Sequence, residues 1–212
     1  MSKKFKLSKS QYCKSRKCQK VLWLYRHNKA VADPVTPMQQ NIFDQGTAVG
    51  ELATEYFEGG VLIAEGYMES EQALATTREV LATNPSAIFE AAFIYDDILI
   101  RVDVLKNNLD GTWDLIEVKS TNDVKPKAHH DDVAIQKYIL GKCGIVLRQS
   151  CLMHLNREYV RGNELDLQKL FVIQPLDGEI DHLMDGIEDN IKLARANLAL
   201  TNEPHELSLI HI

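Results

Sequence analysis

Residues 87–119 constrain the fold of this chain more than any other segment. Three runs rich in apolar and β-branched side chains, 87–95, 99–105 and 112–119, are parted only by turn formers: Asp96 and Asp97, then Asn107, Asn108, Asp110 and Gly111. Runs of that length with that punctuation predict antiparallel strands joined as a meander. A helix is expected next over 132–142, closed by Gly144, and a further strand over 146–155, with a short one at 170–173.

Helices fill the flanks. Ser8 and Gln11 have capping-box spacing, and Tyr12, Cys13, Val21, Leu22, Leu24 and Tyr25 give residues 8–28 the mixed apolar face of one helix. A second helix starts at Thr36 and Pro37 and carries Ile42, Phe43, Val49, Leu52, Ala53, Tyr56 and Phe57 as far as Gly59 and Gly60. A short strand at 61–64, a helix at 71–82 that stops before Asn84 and Pro85, and a long helix at 181–200 complete the pattern. With no internal repeat and no linker, the 212 residues read as one α/β domain over 1–206, its core within 36–200.

Composition excludes several classes. Hydrophobic residues at 45% and charged residues at 25% argue against a disordered or fibrous chain. No apolar run approaches the roughly 20 residues that span a bilayer, so no membrane partner and a cytoplasmic location are expected. The net charge of −6 is unevenly spread. Residues 1–32 hold ten basic side chains and no acid, which leaves 14 bases against 30 acids, a charge of −16, in the remainder. That asymmetry points to a polyanion-facing element on an acidic body.

The meander also carries the chemistry. Side chains two apart on a strand share a face, so Glu117 and Lys119 should point one way while Ile116 and Val118 enter the core. A hairpin turn centred near Asp110 sets Asp103 opposite Glu117, with Lys119 on the same face. Two carboxylates facing each other across a ladder repel unless something cationic lies between them. A hard divalent ion bound by oxygen, with a lysine nearby, resolves the repulsion; solvated cross-strand pairs are the plainer alternative.

Asp103 followed by Glu117, Val118 and Lys119 resembles the Asp…(Asp/Glu)-x-Lys signature of the PD-(D/E)XK nuclease superfamily. Residues 134–138, with Gln136 and Tyr138, are similar to the Gln/Tyr motif of its RecB-type branch, and residues 7–24 resemble the first helix of RecB-type and CRISPR-adaptation nucleases. The resemblance runs from about residue 7 to 205 and is strongest to a bacterial family of RecB-like nuclease domains. It implies a restriction-endonuclease-like α/β fold, a mixed β-sheet flanked by helices, and Mg²⁺- or Mn²⁺-dependent hydrolysis of DNA phosphodiesters in repair, recombination or defence. Asp103 and Glu117 would hold the metal, the Val118 carbonyl and Glu90 would add ligands, and Lys119 would position or activate water and stabilise charge on the phosphate. Gln136 and Tyr138 would contact DNA or orient the site, and Lys14, Arg16 and Lys17 on the basic helix would meet phosphates. Whether the DNA is single- or double-stranded is left open, as is RNA.

One position departs from the family. Many RecB-type enzymes carry a metal-binding His on the helix that here includes residues 46–51, and the matching residue is Gly50, with Glu51 or Glu55 as substitutes. The departure keeps a second expectation open, a catalytically inactive nuclease fold that binds nucleic acid or a protein partner. The resemblance also implies that Cys18 is the first ligand of an iron–sulfur cluster completed by cysteines beyond the last helix. Taken alone, Cys13, Cys18, Cys143 and Cys151 form no CxxC and read as small buried thiols. Residues 207–212 match the translated end of a sequencing adapter and are read as non-native, so the natural chain is expected to continue. His129 and His130 beside Asp131 and Asp132 read as structural, with a helix N-terminus accounting for the acids.

Overall fold

The computed structural model describes residues 7–204; the adapter-like segment 207–212 lies outside them. Seven strands, β1 (Leu7–Ser8), β2 (Val61–Leu62), β3 (Ala87–Tyr95), β4 (Ile98–Asn107), β5 (Trp113–Lys119), β6 (Leu147–Leu155) and β7 (Phe171–Pro175), form one mixed sheet. Its order is β2-β3-β4-β5-β6-β7, with β1 along β4. β3, β4 and β5 run antiparallel, as the turn residues dictate. Asp96 and Asp97 both take positive φ, 46° and 58°, the two-residue turn whose twist suits a hairpin. β5 and β6 are parallel and joined through helix α5 (Pro126–Lys142), the length of connection a parallel pair requires.

Helices cover both faces. On one, Val49 and Ala53 of α3 (Pro37–Tyr56) pack on Phe89, Val104, Ile116, Cys151 and Met153, and α6 (Leu167–Leu170) lies beside them. On the other lie α1 (Lys9–Lys17), α2 (Gln19–His27), α4 (Ser70–Ala82), α5, α7 (Asp177–Met184) and α8 (Ile187–Leu198). Their Tyr12, Leu22, Ala73, Ile135, Ile180 and Ile191 close over Ile88, Ile100, Leu105, Leu115 and Leu152. The chain is thus α/β, a mixed sheet flanked by helices, in agreement with the sequence reading.

Three boundaries differ from it. The basic helix is two helices, broken at Cys18, whose backbone is extended at φ −166°, ψ 125°. The break turns α2 onto α8, where Trp23 Nε1 donates to the Leu200 carbonyl at 3.0 Å. The long final helix is likewise split, at Asp185 and Gly186. α5 begins at Pro126, six residues before the expected start, because proline suits the first helical position.

The predicted cap on the first helix is present and fixes its start. Ser8 Oγ accepts from Gln11 N–H at 3.3 Å, and Gln11 Oε1 accepts from Ser8 N–H at 3.0 Å. Ser8→Ala should lower stability by about 1 kcal/mol in a denaturant titration; an unchanged midpoint would show that β1 alone holds α1 in place.

Candidate active site at the strand fork

β4 changes partner midway along its length. Its C-terminal half pairs with β5 from Val104↔Ile116 to Asn107↔Trp113, the register expected from a turn near Asp110. Its first residues, Ile98 and Leu99, pair instead with Leu7 and Ser8 of β1. Between these two pairings β5 leaves the ladder, and Asp103 Oδ2 accepts the Val118 N–H at 2.7 Å. In the fork so formed Asp103, Glu117 and Lys119 meet, and α1 starts. Ile116 and Val118 pack toward α3, which turns Glu117 and Lys119 toward α1 and α5, the alternation predicted for the strand.

Glu117 is only 1% exposed, and cations surround it. Lys9 Nζ lies 3.2 and 3.0 Å from its two oxygens, Lys119 Nζ bonds Oε1, and Gln136 Nε2 donates to Oε2 at 2.6 Å. Asp132 completes the ring, 2.8 Å from Lys119 and 3.4 Å from Lys9. Burial works against each of these charges. At Glu117 the two ammonium groups overcome it and hold the carboxyl well below its usual range. At Asp103 burial, with Glu117 adding to it, raises the carboxyl despite Lys9 and Lys119; Asp132 is raised for the same reasons. Burial would lower both lysines, but Glu117 and Asp132 outweigh it and keep them above an ordinary ammonium.

With all groups ionised, three carboxylates face two ammonium groups, so the ring lacks one positive charge, and Asp103 bears the deficit. Among the described residues no three His, Cys, Asp or Glu side chains are grouped to hold a metal. Asp103 and Glu117 offer only oxygen donors, and a Mg²⁺ site commonly needs no more than one or two carboxylates beside water and phosphate oxygens. The donor chemistry and the missing charge therefore fit a hard divalent ion held by Asp103 and Glu117.

A cleft of about 660 Å³ opens over this floor, lined by Lys9, Asp103, Glu117 and Lys119 below and by Phe43, Gly46, Gly50 and Glu51 of α3 above. A Cβ at Gly50 would meet nothing within 4 Å, so this position, where the resemblance led to an expected histidine, has open space beside it. Of its two acidic neighbours, Glu51 faces the cleft; Glu55 lines a separate hollow beside Gly59. Glu90 also borders the cleft, between the pairs Phe89↔Val104 and Ala91↔Val102 and hence level with Asp103. It is half-exposed, has φ 55°, and lies 3.5 Å from Arg101 Nε, so in this conformation it serves Arg101 rather than the carboxylate pair.

Several expected contacts are redirected. Gln136 is fully buried, so it orients Glu117 and has no surface to offer DNA. Tyr138 bonds Glu188 on α8 at 2.7 Å and meets Tyr95 edge-on, away from the fork. Arg16 is held by Asp131 at 3.0 Å and Asn190 at 2.9 Å, while Lys14 lies over the Tyr25 ring. Lys17 borders a second cavity with Arg16, His130 and His182. Among the described basic residues of this segment, Lys9, Arg16 and Lys20 thus pair with acids of the body. Cys18 is buried at the α1–α2 break.

Sequence reasoning missed Lys9 and Asp132. Lys9 stood among ten basic residues with nothing to single it out, and Asp132 was assigned to a helix N-terminus. Because α5 starts at Pro126, Asp131 and Asp132 lie well inside it, where they meet Arg16 and the two site lysines. His129 is structural as expected: Nδ1 accepts the Lys125 N–H at 3.1 Å, and burial with Lys119 and Lys125 lowers its pKa to about 4.

No family model matches this chain, and no curated protein matches it. Among solved structures, the crystal structure of SSO0001 is similar over 97% of this chain and 81% of its own, at TM-score 0.43 and 14% sequence identity. Among the described residues no helix is long and apolar enough to cross a membrane.

An acid whose pKa is raised by folding binds more protons folded than unfolded, so its contribution to stability falls as pH rises above the ordinary carboxylate range. Asp103→Asn removes that load and keeps an acceptor for Val118 N–H. Its stability relative to wild type, measured by denaturant with chelator present, should improve between about pH 4 and about pH 8. A difference that does not grow with pH would show that Asp103 is not crowded.

Proposed function

We propose that this chain is a divalent-metal-dependent nuclease of the PD-(D/E)XK kind, hydrolysing DNA phosphodiester bonds in repair, recombination or defence. The observation that carries the reading is the fork itself: Asp103, partly buried, and Glu117, fully buried, on neighbouring strands, with Lys119 on Glu117 and a cleft above them. The order β3, β4, β5, α5, β6 around that fork supports it, as does the resemblance of the motif. A bound Mg²⁺ or Mn²⁺ would polarise the phosphate and make its water more acidic.

The chain's own residues supply the rest. Asp103, Glu117 and the Val118 carbonyl would hold the ion. Gln136 keeps the Glu117 carboxylate in place through its 2.6 Å bond. Lys119 is 30% exposed; its ammonium can turn from Asp132 to a phosphate in the cleft, orient the attacking water and stabilise charge on the phosphoryl oxygens. Cleavage of single- and double-stranded DNA should depend on added Mg²⁺ or Mn²⁺ and fall by at least about 100-fold in Glu117→Ala and Lys119→Ala. Equal cleavage by all three proteins rules the site out.

A second reading, an inactive nuclease fold that binds nucleic acid or a partner, is favoured by two features: Lys9 and Lys119 already neutralise Glu117, and Gly50 adds no ligand. A pure binding module loses no Mn²⁺ site on Asp103→Asn when titrated by calorimetry. The nuclease reading requires that loss.

A further inference from the structure

Lys9 is placed where a helix does not favour a lysine. It is the first residue of α1, at the positive end of the helix dipole, and the first turn holds no acid to offset it. Its side chain is 18% exposed, so the ammonium has also given up most of its water. A buried cation at a helix N-terminus persists only with close counter-charges, and both of Lys9's come from elsewhere in the fold: Glu117 on β5 and Asp132 on α5.

The placement is built in. β1 pairs with β4 where β5 has departed, and the Ser8–Gln11 capping box sets the direction in which α1 leaves that strand. The lysine stem then runs into the fork, and Nζ spans both oxygens of Glu117. Glu117 thereby uses its acceptors on Lys9, Lys119 and Gln136 at once. At the same place Gln136 Oε1 has no hydrogen-bond partner, and Asp132 Oδ1 has only its 3.4 Å ion pair with Lys9.

We propose that Lys9 is an internal counter-ion of the carboxylate pair, which holds Glu117 in the metal-free protein and must release it before that carboxylate ligates a divalent cation. Metal affinity is then set by competition between α1 and the ion for one carboxylate. The inference rests on the metal reading given above. In this arrangement Lys119 remains the phosphate-facing lysine, and Lys9 is a positioning residue.

The test is calorimetric titration of Mn²⁺ into the whole chain as wild type, Lys9→Met, Lys9→Arg and Asp103→Asn, with no nucleic acid present. Methionine keeps the unbranched apolar stem and removes the charge; arginine keeps the charge. Lys9→Met should bind Mn²⁺ at least tenfold more tightly than wild type, and Lys9→Arg should stay within about threefold of it. Asp103→Asn should lose the site. Metal-free Lys9→Met should also melt at a lower temperature than wild type, with Mn²⁺ raising its melting temperature by more. Equal or weaker binding by Lys9→Met, with wild type binding and Asp103→Asn not, overturns the role of Lys9 and leaves the metal site standing. Absence of Mn²⁺ binding in every variant overturns both.

Discussion

Two carboxylates packed side by side, Glu117 buried and Asp103 partly buried, are the constraint around which the centre of this molecule is arranged. Asp103 and Glu117 reach the same point because β4 and β5 pair in the register set by their turn and then separate. Left in an apolar interior, two such groups would neutralise by protonation or pull in water. The fold answers with two lysines from different elements, an amide from α5 and a backbone N–H from β5 itself. With every group ionised one positive charge is still lacking, a shortfall that a bound cation would fill under the proposed metal reading and that a proton on Asp103 would also relieve.

The same constraint gives sense to features that look unrelated along the chain. β1 is only two residues long, yet it takes β5's place beside β4 and delivers α1 to the fork. α5 starts early at Pro126, which sets Asp132 and Gln136, four apart and on one helix face, over Glu117. Three of the basic residues at the start of the chain pair with acids of the body: Lys9 with Glu117 and Asp132, Arg16 with Asp131, Lys20 with Glu203.

How much of this could be read from the sequence follows from the range of the forces involved. The meander, its register and the alternation of Ile116, Glu117, Val118 and Lys119 depend on local turn chemistry and a period of two, so they were legible. The Ser8 capping box depends on residues three apart, and the helix start at Thr36 and Pro37 on adjacent ones, so both were legible too. The break at Cys18 was not, because tertiary packing of Leu22 and Trp23 decides it. Lys9 and Asp132 join the site across 108 residues and across 13, through ion pairs that carry no local pattern. Gln136 was found by its motif, but its role depends on a burial that the motif does not encode.

Anomalous diffraction from a crystal of the whole chain grown with Mn²⁺ tests the central claim most directly. The account predicts one strong peak in contact with carboxylate oxygens of both Asp103 and Glu117, with Lys9 Nζ withdrawn from Glu117. Density elsewhere in the molecule, or none at the fork while Lys9 keeps both oxygens of Glu117, would contradict it.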